Sequence, residues 1–125
     1  MLSREKLISL YFPYFRTLFS RLKSLDYLNM SENKLKEIED MSFNFMPRLR
    51  IAVFSDNYLT FNTSMSNPYW DDYGKKSPFH SCTALEELYL DRNNISEIFG
   101  DWVISTLYLR ILDLQFNQIT QLSVR

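Results

Sequence analysis

Glycine, histidine and cysteine are scarce in this chain: its 125 residues hold two glycines, one histidine and one cysteine. With only Gly74 and Gly100, neither G-x-G-x-x-G nor G-x-x-x-x-G-K-[ST] occurs, so no loop of that type is present to cradle a nucleotide phosphate. His80 and Cys82 cannot by themselves close a four-ligand zinc site. Neither sign of charge prevails. The 14 basic and 15 acidic residues leave a net −1 and no electrostatic footprint for nucleic acid. No apolar run approaches the roughly 18 residues of a membrane span. No cofactor or metal is expected, and what remains is an interaction module or an enzyme working with carboxylates alone.

What the chain does have is spacing. Apolar residues make up 46% of it, and four segments carry them in one pattern: Leu25 to Leu35, Leu49 to Leu59, Leu85 to Ile95 and Leu109 to Ile119. Each reads L-x-x-L-x-L-x-x-N-x-L, with Ala52, Met30 and Phe54 as apolar stand-ins. The L-x-L core alternates with period two, so its apolar side chains point one way and the intervening ones the other, as in a short strand. Each strand is expected to pair in parallel with its counterpart one repeat on. The asparagine then ends the strand: its carboxamide both donates and accepts, and can satisfy turn groups that have left the sheet. Asn33, Asn57, Asn93 and Asn117 are expected to stack as a structural ladder inside the molecule.

The return side has its own period. Apolar residues recur three and six places before each first leucine: Phe19 and Leu22, Phe43 and Met46, Phe79 and Cys82. The fourth copy has Val103 and Thr106 there, with Trp102 and Leu107 nearby as alternative packing residues. The motif, its asparagine and this F-x-x-L-x-x-L return at a 24-residue period resemble the leucine-rich repeat family. They resemble in particular the typical subtype of extracellular proteins such as Toll-like receptor ectodomains and small leucine-rich proteoglycans. The resemblance implies an α/β-type solenoid, with a parallel β-sheet on its concave face and mostly irregular or short helical convex segments.

The ladder asparagines are 24, 36 and 24 residues apart, which places 12 extra residues in the middle repeat. Residues 60–84 contain no leucine, and the insertion is placed at 62–77, rich in turn formers and aromatics. One leucine-rich repeat domain over 1–125 is expected: a partial repeat at 1–24, then repeats at 25–48, 49–84, 85–108 and 109–125. No cysteine cluster caps either end. The start, Met1 to Phe15, lacks a small-residue cleavage site and aligns as repeat, so it is not read as a signal peptide. The chain is expected to be a slice of a longer solenoid.

Residues between the leucines should face outward on the concave sheet. The candidate partner-binding set is Tyr27, Asn29, Glu32, Ile51, Val53, Asp56, Glu87, Tyr89, Asp91, Arg92, Ile111, Asp113 and Phe116. Ile51, Val53, Tyr89, Ile111 and Phe116 are unusual at solvent-facing positions, and aliphatic and aromatic groups among charges make up interface hot spots. Against that, scattered surface apolar residues need no special cause. The insertion offers Tyr69, Trp70, Asp71, Asp72 and Tyr73, either as a contact loop or as a solvated tip with its tryptophan against the solenoid edge. Two adjacent loop carboxylates fix no separation for glycoside hydrolysis and fall short of a hard-cation ligand set. A His80/Cys82 nucleophile pair has no activating third group, and Cys82 aligns with the core positions Met46 and Leu22.

Three N-x-[ST] triplets begin at Asn29, Asn62 and Asn94. Asn62, at the start of the insertion, is the favoured glycan position, whereas sugar on Asn29 would obstruct the concave face. The reading is a non-enzymatic recognition module in an extracellular or cell-surface receptor, with innate-immune signalling as the setting the resemblance implies. Its partners would be proteins or glycosylated ligands, with dimerisation through the solenoid edge or open ends as a further option. A cytosolic leucine-rich repeat adaptor is the alternative, and a carboxylate-based hydrolase a distant third.

Overall fold

The alternation in each L-x-L segment produces strands three residues long. The computed structural model describes residues 23–36, 38, 46–60, 79, 81–99 and 106–123. Its strands are β1 (Tyr27–Asn29), β2 (Ile51–Val53), β3 (Glu87–Tyr89), β4 (Glu97–Phe99), β5 (Ile111–Asp113) and β6 (Gln121–Ser123). β1, β2, β3 and β5 form one parallel sheet in that order. Its register pairs Leu28 with Ala52, Ala52 with Leu88, and Leu88 with Leu112. The middle residue of each of these four strands is thus the second apolar position of the motif, and its side chain turns inward.

Inward residues of successive repeats build the core. Leu28, Met30 and Leu35 lie beside Ala52, Phe54 and Leu59, then Leu88, Leu90 and Ile95, all buried. The return side closes this core with Met46, Phe79 and Cys82. The Phe79 ring lies 5.7 Å from that of Phe54, tilted by 60°, a geometry that contributes about 1 kcal/mol beyond area burial. The chain re-enters β2, β3 and β5 through one kind of turn: Leu49 N–H donates to the Met46 carbonyl, Leu85 N–H to that of Cys82, and Leu109 N–H to that of Thr106. Thr106 is therefore the fourth copy's inward residue, and it is buried. Leu107 does not replace it, because the turn swings that side chain into solvent at 81% exposure.

The asparagine ladder is visible bond by bond. Asn57 Nδ2 donates to the Phe54 and Ser55 carbonyls of its own turn and to the Met30 carbonyl of the preceding repeat. Its Oδ1 accepts the Leu35 N–H, also from the preceding repeat. Asn93 repeats this arrangement with Leu90, Asp91, Phe54 and the Leu59 N–H. Asn117 does so with Leu114, Gln115, Leu90 and the Ile95 N–H. Asn57, Asn93 and Asn117 therefore each close their own turn and join two repeats. Asn33 Nδ2 donates to the Met30 and Ser31 carbonyls, and its buried Oδ1 has no partner among the described residues.

Two features have no counterpart in the sequence pattern. Glu32, Asp56, Arg92 and Phe116, each immediately before a ladder asparagine, all take left-handed backbone with φ of 56–58°. That conformation costs a non-glycine residue about 1 kcal/mol. It turns the chain off the strand so that the Glu32, Asp56 and Arg92 N–H groups donate to the Ser55, Asp91 and Gln115 carbonyls of the next repeat. On the return side, β4 and β6 form a second, two-stranded parallel sheet pairing Ile98 with Leu122. Among the described residues the return is thus partly extended rather than irregular. The partial repeat at 1–22 and the 62–77 insertion lie outside the described residues.

Candidate functional site

The outward face of the four-stranded sheet gathers the two strand-borne columns, Tyr27, Ile51, Glu87, Ile111 and Asn29, Val53, Tyr89, Asp113. The parallel pairing holds each column in line across the repeats. Ile51, Val53, Tyr89 and Ile111 are half-buried, less open than solvent-facing residues, because each packs against its neighbours along the column. Tyr27 and Phe116 are the exposed aromatic members, at 48% and 71%. Glu32, Asp56, Arg92 and Phe116 do not extend the strands. They stand on the left-handed turns beyond them and form a rim.

Polar groups on this face are tied into small networks. Glu87 accepts the Tyr89 hydroxyl on one oxygen at 2.6 Å and Arg110 on the other at 2.7 Å. That short bond, with desolvation and the Glu87 charge behind it, raises the Tyr89 phenol above the ordinary tyrosine range. Asp91 accepts the Ser55 hydroxyl and Arg92 Nη1, and Arg92 reaches towards Asp56 at 4.0 Å. The Asp91 side chain is only 10% exposed. It was expected among the outward contact residues, but its bonds to Ser55 and Arg92 draw it down into the face, where it supports the rim. Arg92 lies over the Phe116 ring at 5.3 Å, a cation–π contact between adjacent repeats. Asn29 Oδ1 accepts both the N–H and the hydroxyl of Ser31, so this carboxamide is engaged with the serine of its own triplet.

A third column lies just before the strands. Asp26, Arg50, Glu86 and Arg110 alternate in sign along the repeats: Arg50 meets Asp26 at 3.7 Å and Glu86 at 3.1 Å, and Arg110 meets Glu86 at 3.7 Å. Such exposed pairs contribute a few tenths of a kcal/mol each. Their alternation favours correct neighbours and opposes a slip that would bring like charges together. The signal lay in the sequence as the residue after each first leucine, but it was not among the residues expected at the site.

Other candidates fall elsewhere. Cys82 is buried, and burial pushes its thiol up to about 12, so at neutral pH it is a protonated core residue and no nucleophile. His80 lies outside the described residues, as do Asn62 and the loop residues Tyr69, Trp70, Asp71, Asp72 and Tyr73. Asn94 is exposed and stands one residue beyond the ladder, away from the strands. No group of three metal-ligating side chains occurs among the described residues, and none of their helices is long and apolar enough to cross a membrane.

This geometry agrees with comparisons to known proteins. A model of the leucine-rich repeat matches residues 84–105. The mouse CD180 antigen is 34% identical over 86% of this chain, and Toll-like receptor 3 of Boselaphus tragocamelus is 29% identical over 82% of it. The chain covers 18% and 10% of those two proteins, a small part of their length. Among solved structures, an internalin C2 of Listeria monocytogenes superposes with a TM-score of 0.60 over 82% of this chain and 37% of its own. At 20% identity that likeness concerns the fold alone. The chain is a leucine-rich repeat protein, and its repeats resemble those of Toll-like-receptor-type ectodomains.

Proposed function

We propose that this chain is a non-enzymatic recognition module of an extracellular or cell-surface receptor, binding a protein or glycosylated ligand on the outward face of the β1-β2-β3-β5 sheet. The single observation that carries the reading is the face itself. Half-buried Ile51, Val53, Tyr89 and Ile111 stand in register on a hydrogen-bonded sheet, bordered by the Glu87–Arg110 and Asp91–Arg92 networks. An apolar centre with a polar rim, held on rigid backbone, loses little conformational freedom when a partner docks. Cell-surface placement is supported by the similarity to CD180 antigen and a Toll-like receptor and by the phenylalanine-bearing 24-residue return. Within this reading the 62–77 insertion supplies further contacts, Asn62 and Asn94 are the triplets for glycan attachment, and the protein acts in receptor signalling.

The test is a binding screen of the immobilised chain against secreted and cell-surface proteins and glycans, repeated with Tyr89→Ala and Phe116→Ala. A bound partner should lose at least about tenfold in affinity to each variant, the scale of an interface hot spot. A partner indifferent to both, or one that binds only when the chain is unfolded, contradicts the reading.

A further inference from the structure

We infer that the outward face selects a partner whose contact surface is basic, with lysines or arginines around an apolar centre. This deepens the recognition reading and rests on it. On the three columns and the rim stand six carboxylates, Asp26, Glu32, Asp56, Glu86, Glu87 and Asp113, with Asp91 beneath the rim as a seventh, against the three arginines Arg50, Arg92 and Arg110. The face therefore carries −4 on a chain whose total is −1, leaving +3 for all remaining residues. Among the described residues the charges off this face are Lys23, Lys34, Lys36 and Arg48 against Glu97, a net +3, so charge is segregated there.

The arginines do not offset this for a newcomer, because each already serves carboxylates of this chain. Arg50 lies between Asp26 and Glu86, Arg110 reaches Glu86 and Glu87, and Arg92 holds Asp91 and reaches Asp56. Each is paired within the face, so the charge a newcomer meets there stays net acidic. Carboxylate surface remains open to a partner: the side chains of Asp26 and Asp56 are 62% and 43% exposed. Covering them with an apolar or acidic surface would strip their water without compensation, which is costly. Covering them with ammonium or guanidinium groups restores charge-assisted hydrogen bonds. Between the acidic borders lie Ile51 and Val53, half-buried in β2 beside Tyr27, and they form the apolar seat. The segregated charge rejects acidic partners and speeds encounter with basic ones, and salt weakens the second effect.

Three short peptides test this on the isotope-labelled full chain by NMR titration: alternating lysine and leucine, alternating glutamate and leucine, and alternating serine and leucine. The lysine peptide should bind at least about tenfold tighter than the glutamate peptide, with shifts centred on Tyr27, Ile51, Val53 and Tyr89. Raising sodium chloride from about 0.05 M to about 0.5 M should remove most of the difference. Asp56→Asn with Asp113→Asn, which keeps the Asp113 acceptor for the Gln115 N–H, should lower lysine-peptide affinity severalfold and leave the melting temperature unchanged. Equal binding of the glutamate or serine peptide to this face overturns the charge preference and leaves the recognition reading standing. Binding of the lysine peptide elsewhere on the chain also overturns the preference. If no peptide perturbs the face, the charge preference fails, and the partner screen alone decides the recognition reading.

Discussion

The repeat around β3 and the repeat around β5 carry the same motif and differ in what lies beside them. In the first, Leu88, Leu90 and Ile95 are buried and Asn93 is 6% exposed, because β2 lies on one side and β5 on the other. In the second, Leu112, Leu114, Ile119 and Asn117 are only partly buried, and β5 is an edge strand of its sheet. The motif therefore does not bury its own leucines. Burial comes from the next repeat, as expected where each repeat contacts only its neighbours. Asn117 makes the same set of bonds as Asn93, since all of these reach back to its own turn and the preceding repeat. What it lacks is cover.

Substitutions at equivalent positions can break this comparison. Leu90→Ala should cost about 3–4 kcal/mol in chemical unfolding, as for a fully buried leucine, and Leu114→Ala about 1–2 kcal/mol. Equal losses would mean that the edge repeat is as tightly packed as the interior one. Asn93→Ala should cost about 2–3 kcal/mol, because it strands the Leu59 N–H in the core and takes from the Leu90 and Phe54 carbonyls one of the two carboxamide bonds each accepts. Asn117→Ala should cost about 1 kcal/mol, since water can reach the groups it leaves. Urea titrations of the four variants provide both comparisons.

Thr106 and Cys82 occupy the same position in these two repeats and sharpen the contrast. Among the described residues the buried Thr106 hydroxyl has no hydrogen-bond partner. Thr106→Val should raise stability by about 1 kcal/mol in the same titrations, and a loss would show that the hydroxyl is satisfied in solution. Cys82 pairs its burial with a thiol pushed up to about 12. The folded state thus holds this proton more tightly than the unfolded chain, whose thiol ionises near ~8.5. Its contribution is intact below that value and falls as pH rises towards 12, by about 1 kcal/mol or less at pH 9. Cys82→Val should flatten this part of the alkaline profile, and the native thiol should resist alkylation until the protein unfolds.

The strands, their register partners, the inward residues and the asparagine ladder were legible because each depends on side-chain type at a fixed spacing. Leucine at the centre of a period-two triplet and asparagine where the strand ends have one structural use here. The left-handed turn was not legible: Glu32, Asp56, Arg92 and Phe116 share no chemistry, and no glycine marks the position. Its cause is the backbone path between strand and asparagine. The β4–β6 pairing was harder to read, since the polar–aliphatic pair that Glu97–Ile98 and Gln121–Leu122 share is too short to mark a strand. At the site, the columns were readable from the alternation, but the burial of Asp91 was not, because it arises from Ser55 and Arg92 on flanking positions. The alternating Asp26, Arg50, Glu86, Arg110 column was readable in principle, since its position is constant and only its sign changes.

The central claim is that the outward face recognises a partner while the inward face holds the fold. Val53→Arg tests it most directly, because Val53 lies on β2, one residue from the buried Ala52 and facing the opposite way. Affinity for a bound partner and melting temperature should be measured together on this variant. The account predicts at least about tenfold weaker binding with stability within about 0.5 kcal/mol of the parent. Unchanged binding, or binding lost only in proportion to a fall in stability, would contradict it.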